Sequence, residues 1–351
     1  MTHQQNIIDR RLCVAPMMEW TDRHCRYFLR QVAPDACLFT EMVTAEALIH
    51  GDLDRLLGHD AAESPLVLQL GGSQPDRLAQ AVARAAPWGF AEINLNVGCP
   101  SDRVQSGKFG ACLMAEPEVV AACCRAMMAE TDLPVTVKCR IGIDDMDAET
   151  GLDRFVDTVA GAGVSVFYIH ARKAWLNGLS PKENRTIPPL DYERVRRLAK
   201  RRGDLTVILN GGLEKADQAV AEMRGCDGVM IGRAAYRTPY VLAEAAQHIF
   251  ASVPPQRDDV ALAMADYADS MTKTGVPLHS ITRHMLGLYA GQSGAKYWRR
   301  QLGEYARTAT APGDFIRETS AFCEALAARH AASTDDFMST KHVMSEQNAP
   351  A

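Results

Sequence analysis

Several side chains in this sequence stand where they could do chemistry rather than pack. Cys99 lies in Asn94-Leu-Asn-Val-Gly-Cys-Pro-Ser, just past a β-forming run and ahead of a polar, glycine-bearing loop at 102–110. A thiol with a reference pKa of about 8.5 is mostly protonated at neutral pH, so it can donate a proton or become a nucleophile. The competing use of such a cysteine is as a small buried hydrophobe. The loop behind it resembles a lid that would bring the thiol to substrate only after binding. Lys138 interrupts the apolar run Val-Thr-Val-Lys-Cys-Arg, and a lysine there needs an anionic partner or must give up its proton. It could form a Schiff base, stand beside the electron-rich end of a flavin ring, or make a structural ion pair. Asn210-Gly211-Gly212 and Gly232-Arg233 are turns whose backbone N–H groups can close on phosphate oxygens, with Arg233 adding a charge-assisted fork. His170 ends another run, where it could bond a ring or a phosphate, or serve structure alone.

These groups share a location. They follow short β-branched runs at 12–15, 36–39, 66–70, 92–95, 135–139, 166–169, 207–209 and 228–231. The starts are roughly 31 residues apart, the length of one strand, one helix and two short loops. Between them, 75–86, 117–130 and 215–223 carry helical patterns; the first places Leu78, Ala81, Val82 and Ala85 on one face. Such alternation folds as an open doubly wound sheet or a closed barrel. No G-x-G-x-x-G follows the first run, as a dinucleotide-binding open sheet would require. Instead nearly every run ends in functional chemistry: Pro16-Met17-Met18, Thr40-Glu41, Gln69, Asn94 and Asn96, Lys138 and Arg140, His170 and Arg172, then the two glycine turns. Reactive groups converging on one rim predict an α/β fold, a (β/α)8 TIM barrel over residues 10–250. Ser252-Val-Pro-Pro-Gln reads as a linker. Beyond it, 258–272, 279–289, 295–306 and 315–328 have helical periodicity, predicting a small helical bundle over 256–330. The polar residues 331–351 are expected to form a disordered tail.

Composition narrows the classes. The 351 residues are 47 % apolar and 23 % charged, the mix of a soluble globular protein. No apolar run approaches the roughly 18 to 20 residues of a membrane helix, and the start, Met1-Thr-His-Gln-Gln-Asn, lacks the order of a signal peptide. A cytoplasmic location is therefore expected. The ten cysteines include no C-x-x-C, which argues against a metal centre. The net charge of −5 excludes a uniformly basic nucleic-acid binder, but two stretches depart from it. Residues 172–202 hold ten Lys/Arg against three acids, and 281–307 hold five against one. Each is either a set of solvated helix faces or a patch for a polyanion.

Long motifs then identify a family. Ala15-Pro-Met-Met-Glu-Trp-Thr-Asp-Arg, Asn94-Leu-Asn-Val-Gly-Cys-Pro-Ser-Asp-Arg-Val and Asp227-Gly-Val-Met-Ile-Gly-Arg-Ala resemble the tRNA-dihydrouridine synthases. His170-Ala-Arg-Lys-Ala-Trp, Leu179-Ser-Pro-Lys-Glu-Asn-Arg and Ile281-Thr-Arg-His-Met-Leu-Gly-Leu resemble their DusA branch. The likeness runs from Leu12 to Ala306; only Leu213 after Asn210-Gly-Gly, where Ile is expected, is a conservative departure.

The resemblance implies a flavoenzyme that reduces the C5–C6 bond of uridine in tRNA, expected at D-loop positions 20 and 20a. Tightly bound FMN, re-reduced by NADPH, would pass hydride to C6, and Cys99, matching the family's general acid, would protonate C5. By motif position Pro16, Met17 and Met18 would lie against the flavin, and Gln69 and Lys138 would contact its polar edge. His170, Asn210, Gly211, Gly212, Gly232 and Arg233 would hold its phosphate end. The uracil must be extruded from folded tRNA, at a cost that phosphate contacts on both domains would offset. Lys182, Arg185, Arg299 and Arg300 are the expected contacts, with Asn96 touching the target nucleotide. A monomer without metal is expected. The rival readings are a flavin barrel acting on a small pyrimidine-like substrate, a Schiff-base aldolase on Lys138, and an RNA-binding module on an inactive barrel.

Overall fold

The computed structural model describes residues 8–346 of the chain. Eight parallel strands follow one another: β1 (Leu12–Val14), β2 (Leu38–Thr44), β3 (Leu66–Gly71), β4 (Glu92–Val97), β5 (Val135–Arg140), β6 (Val166–His170), β7 (Thr206–Asn210) and β8 (Gly228–Ile231). From β2 to β8 each pairs with the next, and β1 pairs with β8. The ring closes where Cys13 bridges to Cys37, with Val14 N–H donating to Cys37 O and Cys37 N–H to Leu12 O, both at 2.9 Å. This is the (β/α)8 barrel that the strand-end chemistry predicts.

Helices fill the crossovers for legible local reasons. Asp22 accepts hydrogen bonds from His24 and Cys25 N–H to start the helix Arg23–Val32, and Asp191 caps Tyr192–Arg201 through Arg194 N–H. Pro75 and Pro117 open Pro75–Ala85 and Pro117–Met128 at the position where a missing N–H costs nothing. The strands run further than their β-branched cores. β2 reaches Thr44, β4 reaches Val97, and β5 to β7 end on Arg140, His170 and Asn210.

The barrel interior is divided. Cys13, Ala15, Cys37, Phe39, Val67, Val166, Tyr168, Ile208 and Met230 form one buried apolar cluster. On the side of β3 to β5 the buried residues include Gln69, Glu92, Asn94 and Thr136. Those polar groups survive burial because each is hydrogen-bonded to another.

The chain divides into two compact units, 1–236 with 241–254, and 237–240 with 255–351. In the second unit the helices Arg257–Lys273 and Pro312–Glu346 pack together, tied by Asp269, which accepts from Gly313 N–H at 2.8 Å and from Arg317 Nη1 at 3.1 Å. Trp298 is fully buried there and donates from Nε1 to Met285 O at 2.7 Å. The helical pattern over 279–289 yields a helix only as far as Thr282, after which the chain proceeds in turns. Gly287 is required in those turns, since a Cβ would stand 2.2 Å from Arg237 O. The periodic stretch 295–306 is a helix to Arg300 followed by a π-helical turn, Gln301–Tyr305. The last helix continues to Glu346, into the stretch expected to be disordered; no Gly or Pro interrupts the chain between Gly313 and Pro350. Residues 347–351 of that expected tail lie outside the described residues.

Candidate active site

The strand register brings most of the expected site residues to one rim. Gln69 pairs with Asn94, Asn96 with Lys138, Arg140 with His170, and His170 with Asn210. Because side chains alternate along a strand, Thr136, Lys138 and Arg140 share one face of β5, and Asn94 and Asn96 share one face of β4. The turn Pro16-Met17-Met18 lies beside the end of β8, where Ala15 N–H donates to Ile231 O at 2.9 Å. Thr21 Oγ1 caps that turn by accepting from Met17 N–H at 2.9 Å, and Met18 is left 54 % exposed.

The β7–β8 side of the rim is built for an anion. Lys138 Nζ donates to Asn210 Oδ1 at 3.2 Å, and Asn210 Nδ2 donates to Met230 O at 2.6 Å. Burial, with Arg140 adding to it, lowers the Lys138 pKa to about 8. Burial together with Arg140, Lys138, Arg172 and Arg233 pushes His170 well below its ordinary value, so it stands neutral among cations. Among the described residues none of Lys138, Arg140, Arg172 or Arg233 has a carboxylate ion pair, and the buried Nε of Arg172 has no hydrogen-bond partner. Gly211 and Gly212 have φ of +122° and +64°, and a Cβ on Gly211 would stand 2.6 Å from His170 Cδ2. At Gly232 the nearest obstacle to a Cβ is Ala15 Cβ at 3.8 Å, so protein packing does not demand the glycine. Close approach of a ligand would demand it. Donors, bare turns and an unpartnered guanidinium nitrogen together fit a phosphate-bearing group.

The β3–β4 side holds the thiol. Asn96 Oδ1 accepts from Gly98 N–H at 3.1 Å and Cys99 N–H at 3.0 Å, and Asn96 Nδ2 donates to Gln69 Oε1 at 2.9 Å. Cys99 is partly exposed, with Ser101 Oγ 3.5 Å from its sulfur. Its carbonyl accepts from Ala111 N–H at 2.9 Å, a closure that needs Gly110 at φ +75°, where a Cβ would lie 2.6 Å from that same oxygen. The stretch read as a loop at 102–110 opens with a short helix, Asp102–Ser106, whose Gln105 fastens it by donating to Pro100 O at 2.9 Å and Leu176 O at 2.8 Å. By contrast, burial drives the Cys123, Cys124 and Cys139 thiols up to about 12, which leaves them inert.

Two strand-end residues that the sequence placed at the rim without a role belong here. Arg140 is buried, donates to Gly98 O, Lys173 O and Asn184 O, each at 2.9 Å, and so braces the Cys99 loop against the loop after β6. Arg172 adds its charge beside His170. Arg140 stands two residues after Lys138, a strand-period signal in the sequence that points it the same way.

The expected RNA contacts separate. Lys182 and Arg185 are exposed at a 3₁₀ turn after β6, and Arg185 O accepts from Arg233 Nη2 at 3.2 Å, which places that turn against the anion side. Arg299 and Arg300 are exposed on the helix Ala295–Arg300 of the second unit, where Arg300 pairs with Glu304 at 3.4 Å and donates to Tyr305 OH at 3.0 Å. Most of the basic stretch 172–202 has a structural use. Arg194 pairs with Asp153, Arg196 with Glu193 and Glu222, and Arg197 with Glu149. Arg201 reaches Asp157 at 2.9 Å, and Arg202 reaches both Asp157 and Asp204 at 2.7 Å.

Comparison with known proteins follows this geometry. The family described as dihydrouridine synthase (Dus) matches residues 13–327. A Xanthomonas campestris protein named tRNA-dihydrouridine(20/20a) synthase is 52 % identical over 310 residues, 88 % of this chain and 92 % of its own length. Proteins of the same name from Shewanella oneidensis and Escherichia coli are 52 % and 53 % identical, covering 85 % and 86 % of this chain and 90 % and 88 % of their own lengths.

Proposed function

The chain belongs to the dihydrouridine synthase family, and from that premise we propose that it reduces uridines 20 and 20a of tRNA to 5,6-dihydrouridine. The observation that carries the proposal is the pairing, on one barrel rim, of a cation cluster without carboxylates and a partly exposed thiol held by Asn96. Relatives covering most of the chain, and named for that reaction, support it.

FMN fits the cluster. Asn210, Gly211, Gly212, Gly232 and Arg233, with neutral His170 and the free Nε of Arg172, would hold its phosphate end. Gln69 and Lys138 would meet the polar edge of the ring, and Pro16, Met17 and Met18 would lie against its face. When bound and reduced by NADPH, the flavin supplies hydride to C6 of the uracil.

The remaining work belongs to the protein. Cys99 gives its proton to C5 as charge builds there, acting as the general acid. Gln105 and Arg140 keep the loop that carries Cys99 from drifting. Asn96 spends one Nδ2 proton on Gln69 and offers the other to the target nucleotide. Lys182, Arg185, Arg299 and Arg300 take tRNA phosphates, which offsets the few kcal/mol spent in extruding the base. The protein acts as a monomer in the cytoplasm. Among the described residues no helix is long and apolar enough to cross a membrane.

A visible spectrum of the purified protein tests this reading, with NADPH and then unmodified tRNA added anaerobically. A flavin band that NADPH bleaches and tRNA restores is expected. A band that tRNA cannot restore would move the substrate to a small pyrimidine, and a protein that takes up no flavin would overturn the assignment of the rim.

A further inference from the structure

The polar half of the barrel interior forms a line. Cys99 N–H donates to Asn96 Oδ1 at 3.0 Å, Asn96 Nδ2 to Gln69 Oε1 at 2.9 Å, and Gln69 Nε2 to Asn94 Oδ1 at 2.9 Å. Asn94 Nδ2 then donates to Thr136 Oγ1 at 2.9 Å, and Thr136 Oγ1 to Glu92 Oε1 at 2.7 Å. Gln69, Asn94, Thr136 and Glu92 are all buried. Arg10 closes the far end, donating to Glu92 Oε2 from Nε at 2.8 Å and from Nη2 at 2.5 Å. Tyr168 OH gives Glu92 Oε1 a further hydrogen bond at 2.9 Å without joining the line.

Every link points the same way, and chemistry fixes the direction. An amide side chain has two ends alike in shape and opposite in hydrogen bonding, so an isolated Asn or Gln can sit either way round. Here one end of the line is a carboxylate paired with Arg10, which only accepts, and the other is a backbone N–H, which only donates. Flipping any of the three amides would set donor against donor on one side and acceptor against acceptor on the other. In a buried site each unmade bond is costly. The Thr136 hydroxyl spends its one proton on Glu92 and must therefore accept from Asn94, which transmits the polarity onward.

We propose that Thr136, anchored by Glu92 and acting through Asn94, is a positioning residue: it sets the amide orientation of Gln69 and Asn96 and thereby the seat of the Cys99 loop. Its catalytic consequence rests on the function proposed above, while the positioning itself does not. Glu92 lies at the start of β4 and Cys99 beyond its end, so the side-chain line runs beside that strand from its start to the rim.

The test uses the full-length protein and the iodoacetamide alkylation rate of its three partly exposed thiols, Cys99, Cys112 and Cys226, read by peptide mass spectrometry. Thr136→Val keeps the shape and breaks the line. It should change the Cys99 rate by about fivefold, roughly what one net hydrogen bond corresponds to, with Cys112 and Cys226 unchanged. Thr136→Ser should restore the natural rate. Tyr168→Phe removes an equal bond from the same Glu92 oxygen but spares the line, and should leave Cys99 as it was. If the valine variant does not fold, Thr136→Ala breaks the same link and carries the same expectation. An unchanged Cys99 rate in the Val or Ala variant, or an equal change in Tyr168→Phe, would overturn the proposal. If the alkylation pattern holds in a protein that does not reduce uridine, positioning stands and the proposed function falls.

Discussion

If Lys138 meets the proposed flavin, the affinity should depend on pH. Burial and Arg140 bring its pKa to about 8, and no carboxylate offsets them. If the ligand's anionic edge binds only the ammonium form, the apparent Kd is the intrinsic one divided by the fraction of protein that carries the proton. That fraction is about 0.9 at pH 7 and about 0.1 at pH 9, so affinity should fall about tenfold between them. His170 is already neutral, Arg140 with a value of about 10 is still charged, and a phosphate with its second pKa of about 6 is already a dianion. The assay is quenching of flavin fluorescence as apoprotein is titrated into FMN at a series of pH values. Lys138→Met should bind more weakly at pH 7, by about 10- to 100-fold for a lost charged hydrogen bond, and should show no slope. Stability of the apoprotein moves the opposite way. The unfolded lysine keeps its ordinary value of 10.5, so between about 8 and 10.5 the unfolded chain binds more protons and folding gains stability as pH rises. A flat Kd in the natural protein, or the same slope in Lys138→Met, would refute the reasoning.

Three further outcomes are expected. Cys99→Ala should bind FMN and tRNA normally while tRNA re-oxidises its reduced flavin about 10²- to 10⁴-fold more slowly; stopped-flow absorbance reads this, and a normal rate would strip the thiol of its acid role. Gly232→Ala should melt as the natural apoprotein does yet lose flavin affinity, whereas Gly211→Ala, at φ +122° and 2.6 Å from His170, should lose both; normal FMN binding by Gly232→Ala would show that no ligand approaches there. Arg299→Ala with Arg300→Ala should weaken tRNA binding and reduce its salt slope by about one to two, with Arg299 contributing more because Arg300 is already paired with Glu304. Unaltered binding across a salt series would remove that helix from the RNA contacts.

The barrel was legible because its strand cores are β-branched runs at even spacing and its helices open on Asp, Thr or Pro. The ends of β5, β6 and β7 were read short because they finish on the polar residues Arg140, His170 and Asn210, which break the apolar pattern of each run and face the rim of this barrel. Lys138 and the glycine turns stood out at strand ends in the sequence, Gln69 was given its ring-edge role by motif position, and the structure brings them to one rim. Glu92 and Thr136 were not found, since a glutamate opening a strand looks solvated until Arg10, 82 residues away in sequence, closes on it. The turns after Thr282 were hidden for a similar reason, because the crowding that excludes a helix side chain at Gly287 comes from Arg237.

Counting charge along the chain found the richest basic stretch but could not tell its ion-paired half from the rest. Arg194, Arg196, Arg197, Arg201 and Arg202 meet Glu149, Asp153, Asp157, Glu193, Asp204 and Glu222, carboxylates lying mostly on other elements and outside the counted window. Those pairs hold the helix Tyr192–Arg201 to its neighbours and leave little field for a polyanion. At the rim the balance is reversed. Fewer cations gather there, yet among the described residues none of Lys138, Arg140, Arg172 or Arg233 is paired with a carboxylate, and burial, with their charge added to it, keeps His170 neutral. Bringing several like charges together without counter-ions costs a fold stability unless an anion arrives to offset it. The proposed binding site is therefore marked by where counter-ions are missing rather than by where cations are most numerous, and only a three-dimensional arrangement can distinguish the two.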